Sequence, residues 1–139
     1  MLTFLFALML ASAAPQKQPA ANPCADPQSQ LEMNRCAAAE YRKADADLNA
    51  FYDRLIKNFT KDVNDAHRKG DADQIKYGEN GLNELKEAER AWILYRDLHC
   101  KAAEQRFEGG TIRPLIWSGC MRQVTEHRID ELKGAYENQ

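Results

Sequence analysis

The residue types that could carry out chemistry are most concentrated in one stretch, AWILYRDLHC at positions 91 to 100. A histidine that acts as a general base needs a positioned nucleophile, and we interpret the thiol of Cys100 as half of a disulfide. His99 is therefore expected to be a partly buried helix residue. Successive helical side chains point about 100° apart, so Arg96 and Asp97 should not pair with each other. We predict that Arg96 forms an ion pair with a neighbouring helix.

The rest of the chain offers no second set of residues with catalytic spacing. His67 and His127 are isolated from each other and from the cysteines. The glutamates at 79, 84, 87 and 89 form a dense charge run, which is typical of a solvated helix face. The sequence contains no phosphate-binding glycine loop, nucleophile elbow or zinc-protease motif. We therefore predict a protein that is not an enzyme and that has no catalytic residues, no cofactor and no metal site.

Length and composition indicate one small domain. The chain has 139 residues, 44% of them hydrophobic and 29% charged, which suits a single core and is too short for two ordinary domains. The formal net charge is -2, and basic residues are mixed with acidic ones. Nucleic acid is therefore not an expected partner.

The first residues are typical of a secretory signal peptide. An apolar run over 2–10 precedes small residues, and Ala11-Ser12-Ala13 fits the cleavage rule. The run is shorter than the ~20 apolar residues that a membrane span needs, although no Lys or Arg precedes it. We predict a signal peptide over 1–13, a disordered leader over 14–23, no membrane span in the mature form, and a periplasmic or secreted location.

The cysteines predict two disulfides, because an even number in a small exported protein is typical of an oxidising compartment. They are Cys24, Cys36, Cys100 and Cys120. Their gaps of 12, 64 and 20 residues are unlike the close pairs of zinc sites. Asp26 followed by Pro27 predicts a short helix over 27–36, which then either bends or continues into a much longer one. At ~1.5 Å of rise per residue, that helix would hold its flanking cysteines farther apart than the ~7 Å a disulfide tolerates. A Cys24–Cys36 bridge is thus unlikely, and we expect each bridge to join the N-terminal segment to a later helix.

Apolar residues recur at helical spacing in three long stretches, and no stretch alternates as a strand would. The stretches are 41–63, 82–103 and 117–135. Glycines and polar residues over 70–81 predict a long connection that keeps some helix around 72–77, and Gly109-Gly110 predicts a helix stop. The predicted fold class is all-α: an antiparallel, disulfide-bonded bundle of three principal helices plus the short N-terminal helix, in one domain over 24–137.

The two connections are the candidate surfaces for binding a partner. The long connection could offer acidic groups to a basic partner. The glycine loop over 108–114 could present its central residues or could simply end a helix. The candidate residues are Asp71, Asp73 and Glu79 in the first connection and Thr111, Ile112 and Arg113 in the second.

An ordered series of short motifs runs through nearly all of the predicted domain. The pieces are Cys24, Gln30-Leu31-Glu32-Met33-Asn34-Arg35-Cys36, Tyr41-x-x-Ala44-Asp45-x-x-Leu48-Asn49-x-x-Tyr52, Ala91-Trp92-x-x-Tyr95-Arg96-Asp97-x-x-Cys100, Gly109-Gly110-Thr111, Cys120 and Thr125-x-x-Arg128. Together they resemble the LprI-type lysozyme-inhibitor family of small exported bacterial proteins. Family members often carry Ser where Thr111 stands, and 62–80 contains no family motif. The resemblance covers about residues 24–133 and implies a helical, disulfide-bonded periplasmic or secreted protein.

The matching positions are expected to be mainly structural. Besides the cysteines, the residues with expected scaffold roles are Tyr41, Leu48, Tyr52, Trp92, Tyr95, Arg96 and Arg128, with Trp92 and Tyr95 in the core. The resemblance implies a protein-binding module that occludes the cleft of a lysozyme. The alternative is a structural or interaction protein of the bacterial envelope with no effect on lysozyme. The expected partner is a protein in both cases, and the oligomeric state stays open.

Overall fold

Three α-helices dominate the part of the chain that the computed structural model describes, residues 22–137. They are α1 (Gln30–Lys69), α2 (Ala72–Gln105) and α3 (Arg113–Tyr136). The predicted all-α bundle of three principal helices is confirmed. Within 22–137, no helix is both long enough and apolar enough to cross a membrane. The predicted signal peptide (1–13) and nearly all of the predicted leader (14–23) lie outside the described residues.

The first helix is continuous over 40 residues, which corresponds to about 60 Å. The Ser29 hydroxyl accepts a hydrogen bond from the Glu32 N–H, and the Glu32 carboxylate accepts one from the Ser29 N–H. This capping box sets the start of the helix. The predicted start at Pro27 is wrong, because residues 27–29 are not helical and Ser29, rather than Asp26, caps the helix. The short helix expected over 27–36 is therefore the beginning of α1.

The turn between α1 and α2 contains only two residues. Gly70 adopts a φ of 68°, the left-handed conformation that commonly ends helices. Asp71 then caps α2, with its side chain accepting a hydrogen bond from the Gln74 N–H. The long connection predicted over 70–81 is wrong, since all but its first two residues belong to α2.

Two glycines inside α2 bring it close to α1. A methyl group on Gly78 would lie 2.7 Å from Val63 Cγ2, and one on Gly81 would lie 3.5 Å from Phe59 Cε1. Glycine is about 1 kcal/mol less favourable than alanine inside a helix, which is why the sequence pattern predicts a turn here. The structure shows that these positions serve close helix packing.

Side-chain contacts fix the directions of the helices. Tyr41 packs edge-to-face on Trp117, and Phe59 packs in the same way on Tyr136, with ring centroids 5.5 and 5.7 Å apart. Residue numbers therefore rise together along α1 and α3, which run parallel. Between α1 and α2 the numbers run in opposite directions, since the His67 side chain meets Glu79 across the turn. Both connections thus join antiparallel neighbours.

The central core is aliphatic and aromatic, and all three helices contribute to it. Its buried members are Leu48, Phe51, Leu55, Leu85 and Leu132. Because α3 ends beside Phe59, the last turns of α1 and the first turns of α2 continue past it as a pair. We call residues 60–81 the hairpin end. Val63 and Ala66 are buried within it.

The buried face of α2 differs from the predicted one. Tyr95, which was expected in the core, is 56% exposed. His99, which was expected to be partly buried, is also exposed and stacks on Tyr95 with ring centroids 5.4 Å apart. The buried residues of α2 are Leu85, Glu89, Arg96 and Cys100. The apolar pattern missed this face because two of its four buried members are charged.

Candidate protein-binding surface

The structure pairs the cysteines in chain order. Cys24 bonds to Cys36, and Cys100 bonds to Cys120, with Cα atoms 5.5 Å apart in each pair. The prediction against a Cys24–Cys36 bridge, and for bridges from the N-terminal segment to later helices, is wrong. The predicted helix began too early: α1 starts at Gln30, so Cys24 lies in a non-helical segment that can turn back to the second turn of the helix. We call residues 22–36 together with 100–120 the loop end.

The loop between α2 and α3, residues 106–112, is closed by backbone hydrogen bonds. The Phe107 N–H donates to the carbonyl of Glu104, and the Gly110 N–H donates to the carbonyl of Phe107. Gly109 has a φ of 77°, a conformation that costs other residues roughly 1–2 kcal/mol. The glycine pair therefore forms a defined turn shortly after α2 ends.

Side chains from α1 and α2 hold this loop in place. Asn34 Nδ2 on α1 donates a 3.0 Å hydrogen bond to the carbonyl of Thr111. Arg113 Nη2 donates a 2.9 Å hydrogen bond to Glu104 Oε1, which joins the start of α3 to the end of α2. This bond to Glu104 raises the pKa of the Arg113 guanidinium, which therefore keeps its charge. Together with the Cys100–Cys120 bridge, these contacts fix the loop against both neighbouring helices.

Apolar side chains surround the fixed loop on its solvent side. Leu31 is 58% exposed, and Phe107 and Ile112 are also exposed. A shallow groove runs between the loop and the first turn of α1, with Leu31, Thr111 and Pro114 in its lining. Of the predicted loop candidates, Thr111 and Ile112 face solvent, whereas Arg113 is half-buried by its pair. The loop end thus offers an apolar and preorganised surface.

The acidic candidates lie at the opposite end of the bundle. The side chain of Asp71 is engaged in capping α2, and Glu79 Oε1 lies 3.0 Å from His67 Nε2. Asp73 is exposed in the first turn of α2. It is 32 residues from the end of that helix at Gln105, a separation of about 48 Å. The two predicted sets of binding residues therefore cannot form one site.

A column of charged and aromatic side chains crosses the middle of the bundle. Arg128 on α3 donates two 3.0 Å hydrogen bonds to Glu89 Oε2 on α2. Arg96 Nη1 on α2 donates a 2.9 Å hydrogen bond to Asp45 Oδ1 on α1. The ring of Trp92 lies 5.1 Å from the Arg96 guanidinium and 5.7 Å from that of Arg128, within cation–π range of both. The column therefore ties all three helices together.

The expectation that Arg96 would not pair with its neighbour is wrong. Its Nε donates a 3.0 Å hydrogen bond to Asp97 Oδ1 while Nη1 serves Asp45, because a guanidinium has several donors to share. Burial acts to lower the pKa of Arg96, but its bonds to the two aspartates raise it overall. Burial also raises the pKa of the Tyr41 phenol, although the nearby Arg96 charge partly offsets this. Both groups thus hold one protonation state at neutral pH.

Glu89 is the member of the column that the sequence pattern missed. It was grouped with a solvated acidic face, yet it is only 7% exposed. The spacing could have indicated this position. Trp92 and Arg96 follow Glu89 by three and seven residues, and residues at this spacing lie on one face of a helix. Among the other expected scaffold residues, Leu48 is in the core and Tyr52 packs against it. No three His, Cys, Asp or Glu side chains in residues 22–137 are placed to hold a metal ion.

Comparison with known proteins relates this arrangement to one family. The sequence profile of the family described as lysozyme inhibitor LprI matches residues 20–132. The chain belongs to this family. It is also 36% identical over 132 residues to a protein of Rhizobium meliloti (strain 1021) described as uncharacterized protein R02472, with 94% of this chain and 91% of the relative covered. No solved structure gives a significant match.

In this LprI-family chain, the profile match includes both the column and the loop end. The motifs identified from the sequence fall into these same two places. Trp92, Arg96 and Arg128 meet in the interior, and Gly109-Gly110-Thr111 lies in the fixed loop. There are two kinds of exception. Leu48 lies in the central core and Tyr52 packs against it, and Asn49, Ala91 and Tyr95 are exposed outside both places. The interior set positions helices, and the loop end is one exposed part of the LprI-family pattern.

Proposed function

We propose that this protein is an exported lysozyme inhibitor that covers the enzyme's active cleft with its loop end. Membership of the LprI family supports a lysozyme as the partner. The geometry of the loop supports the mode of binding, because a loop fixed by Asn34 and by the Cys100–Cys120 bridge loses little further freedom when it binds. The observation that carries the proposal is this fixed loop with exposed Leu31 and Ile112 beside it.

The surface favours apolar contact over electrostatic attraction. Leu31, Phe107 and Ile112 would leave water on binding. Full burial of such a side chain contributes roughly 1.5–3 kcal/mol, and these three contribute in proportion to their exposed fractions of 58%, 37% and 36%. The net charge of -2 supplies only modest steering toward a basic enzyme. Inhibition should therefore persist at moderate salt, where interactions between exposed charges are screened.

A titration of lysozyme against the purified oxidised protein tests the proposal. We expect loss of cell-wall lysis that saturates at a fixed ratio of the two proteins and weakens as a soluble oligosaccharide substrate is raised. Ile112→Asp should weaken inhibition by about 10-fold or more, since it removes apolar contact area and places an unpaired carboxylate in the interface. Tyr77→Asp is the matched control, because Tyr77 is 66% exposed at the hairpin end.

The outcomes separate the parts of the proposal. Equal inhibition by the two variants would show that another surface binds the enzyme. Inhibition that substrate does not relieve would contradict occlusion of the cleft. If an animal, a phage and a bacterial lysozyme all lyse cell walls at their full rates in excess inhibitor, the protein is not a lysozyme inhibitor. That result would favour an envelope protein with a different partner.

Export is a second part of the proposed function. Two disulfides suit an oxidising compartment, and the apolar N-terminal run followed by Ala11-Ser12-Ala13 suits a cleaved signal peptide. The intact mass of the protein recovered from periplasmic and culture fractions should match a chain that begins at Ala14 or within a few residues of it. A full-length mass confined to the cytoplasm would contradict export.

A further inference from the structure

The outer face of α2 carries an uncovered apolar strip. Leu94 is 61% exposed and Leu98 is 58% exposed. They follow one another by a single helical turn, on the side of α2 opposite the buried Glu89 and Arg96. Ala91 is exposed one turn before Leu94. Apolar side chains that are grouped in this way mark a surface that another molecule covers.

Charged residues flank the strip with opposite signs at its two ends. Residues spaced alternately by three and four define one seam along the helix: Glu84, Glu87, Ala91, Leu94, Leu98, Lys101 and Gln105. This spacing is the one through which two helices pack side by side. The seam is acidic before its apolar centre and basic after it. All seven of its residues are exposed.

We propose that this seam pairs with the same seam of a second copy of the chain, in antiparallel orientation. A two-fold axis between Leu94 and Leu98 places each leucine against the other leucine of the second copy. It also places Lys101 over the small Ala91 of the second copy, within reach of Glu87 one turn earlier. A two-fold interface requires such self-complementarity, in which residue i meets residue j and j meets i.

The charge order selects the orientation and the occupant. A parallel pair would set Glu87 against Glu87 and Lys101 against Lys101, and like charges across a helix pair are unfavourable. Within the described residues, Lys101 takes part in no ion pair, so its ammonium group is available to the second copy. Glu87 already pairs with Arg90 on its own helix, but this pair is exposed and leaves the carboxylate open to a second cation. The seam is apolar at its centre and carries opposite charges at its ends, so it is complementary to a second copy of itself in the antiparallel orientation. This self-complementarity favours a second copy over an unrelated partner.

The pairing covers Lys101 and Gln105 but leaves the loop itself, residues 106–112, uncovered in each copy. The seam centre, between Leu94 and Leu98, is about ten residues before the loop begins at Arg106, or roughly 15 Å along the helix axis. The two loop ends would therefore point in opposite directions from the interface. Self-association does not depend on lysozyme binding, and either property can fail without the other.

Sedimentation equilibrium of the oxidised protein, from micromolar to millimolar concentration, tests the pairing. We expect a mass that rises from monomer to dimer and goes no further. Leu94→Glu should weaken association by about 100-fold or more, because the substitution removes two buried leucines from each dimer. Tyr77→Glu removes an equally exposed apolar group on the same face of α2. It lies outside the stretch 87–105 that overlaps in the dimer, so it should leave association unchanged. A monomer at millimolar concentration, or equal effects of the two variants, would overturn the proposal.

Charge reversal tests the antiparallel register. Glu87→Lys and Lys101→Glu should each weaken the dimer several-fold, and the double variant should restore most of the affinity, since it exchanges the two signs. The helical circular dichroism of every variant should match the parent, because both positions are exposed. A double variant that associates no better than the single ones would overturn the antiparallel arrangement. Dimers of the single variants as tight as the parent would overturn it as well.

Discussion

The two ends of the bundle are closed by different means. At the loop end, two disulfides and the Asn34–Thr111 hydrogen bond fix the chain. At the hairpin end, a two-residue turn at Gly70 joins the helices, which are held by close packing of Val63 on Gly78 and by the exposed His67–Glu79 contact. Covalent closure is thus confined to the end with the irregular loop. Regular helices need only packing, whereas an irregular loop needs links to hold one shape.

The difference suggests a division of roles between the ends. A short αα-turn has few alternative conformations, so the hairpin end is stable without a binding role. A seven-residue loop has many alternative conformations, and fixing them costs roughly 1–2 kcal/mol per residue. Links that hold such a loop are most readily explained by a surface that must keep its shape when a partner binds. The following changes test this comparison, in order of decreasing expected effect.

The largest loss of stability should come from a change in the column, which lies between the two ends. This loss should destabilise both ends. Glu89→Ala leaves Arg128 without its buried partner, which should lower the free energy of unfolding by about 3–5 kcal/mol. Urea denaturation followed by circular dichroism measures this. Glu87→Ala is the control, because its ion pair with Arg90 is exposed and should contribute less than about 1 kcal/mol. Equal losses from the two variants would show that the column is not a stabilising centre.

Removing one disulfide should affect the loop end selectively. Cys100→Ala combined with Cys120→Ala should cost about 3 kcal/mol, because the bridge closes a separation of 20 residues. Limited trypsin digestion should then cut faster after Arg106 in the loop, with a smaller change after Lys69 at the hairpin end. Equal acceleration at the two sites would mean that the bridge stabilises the whole bundle rather than the loop.

Adding one methyl group should affect the hairpin end selectively. Gly78→Ala places a carbon 2.7 Å from Val63 Cγ2, and the overpacking should cost roughly 1–3 kcal/mol relative to a Gly→Ala change in a helix with open space. Combining it with Val63→Ala should recover part of that loss. Gly134→Ala, which meets nothing within 4 Å, should instead stabilise α3 by roughly 0.5–1 kcal/mol. Thermal melts of the four proteins provide the measurement, and a Gly78→Ala variant stabilised as much as Gly134→Ala would refute the close approach.

The smallest effects should come from a matched pair of glycines, one at each end. Gly70 and Gly109 both have positive φ values and open space around them, so alanine at either position should cost about 1–2 kcal/mol in backbone strain alone. We expect similar losses of stability but a loss of lysozyme inhibition for Gly109→Ala only. Impaired inhibition by Gly70→Ala, measured where both variants are fully folded, would contradict the division of roles.

The amphipathic periodicity of the sequence was sufficient to predict the helices. The stretches 41–63, 82–103 and 117–135 all lie within the three observed helices, because burial of an apolar stripe is what stabilises each of them. The family could also be predicted, since its motifs are short and occur in a fixed order. These features depend on local spacing, which a single sequence displays.

The features that the sequence did not predict depend on contacts between distant segments. The sequence around Gly78 is typical of a turn, and only the contact with Val63 shows that the glycine allows two helices to pack closely. Glu89 belongs to a charge run that is typical of a solvated face, and only the pairing with Arg128 shows that it is buried. The position of Tyr95 follows from the face that α2 buries. Because Glu89 and Arg96 point inward, Tyr95 points to the solvent. The cysteine pairing was mispredicted because a helix start misplaced by three residues, from Pro27 to Gln30, changed the distance on which it depended.

The order of the disulfides has a consequence for how the protein matures. Each cysteine bonds to the next one in the chain, Cys24 to Cys36 and Cys100 to Cys120. During passage across a membrane from the N-terminus, each new thiol would therefore meet its correct partner before a wrong one becomes available. Oxidation in order of emergence yields the native pairing, so an oxidase alone should suffice and a disulfide isomerase should be dispensable.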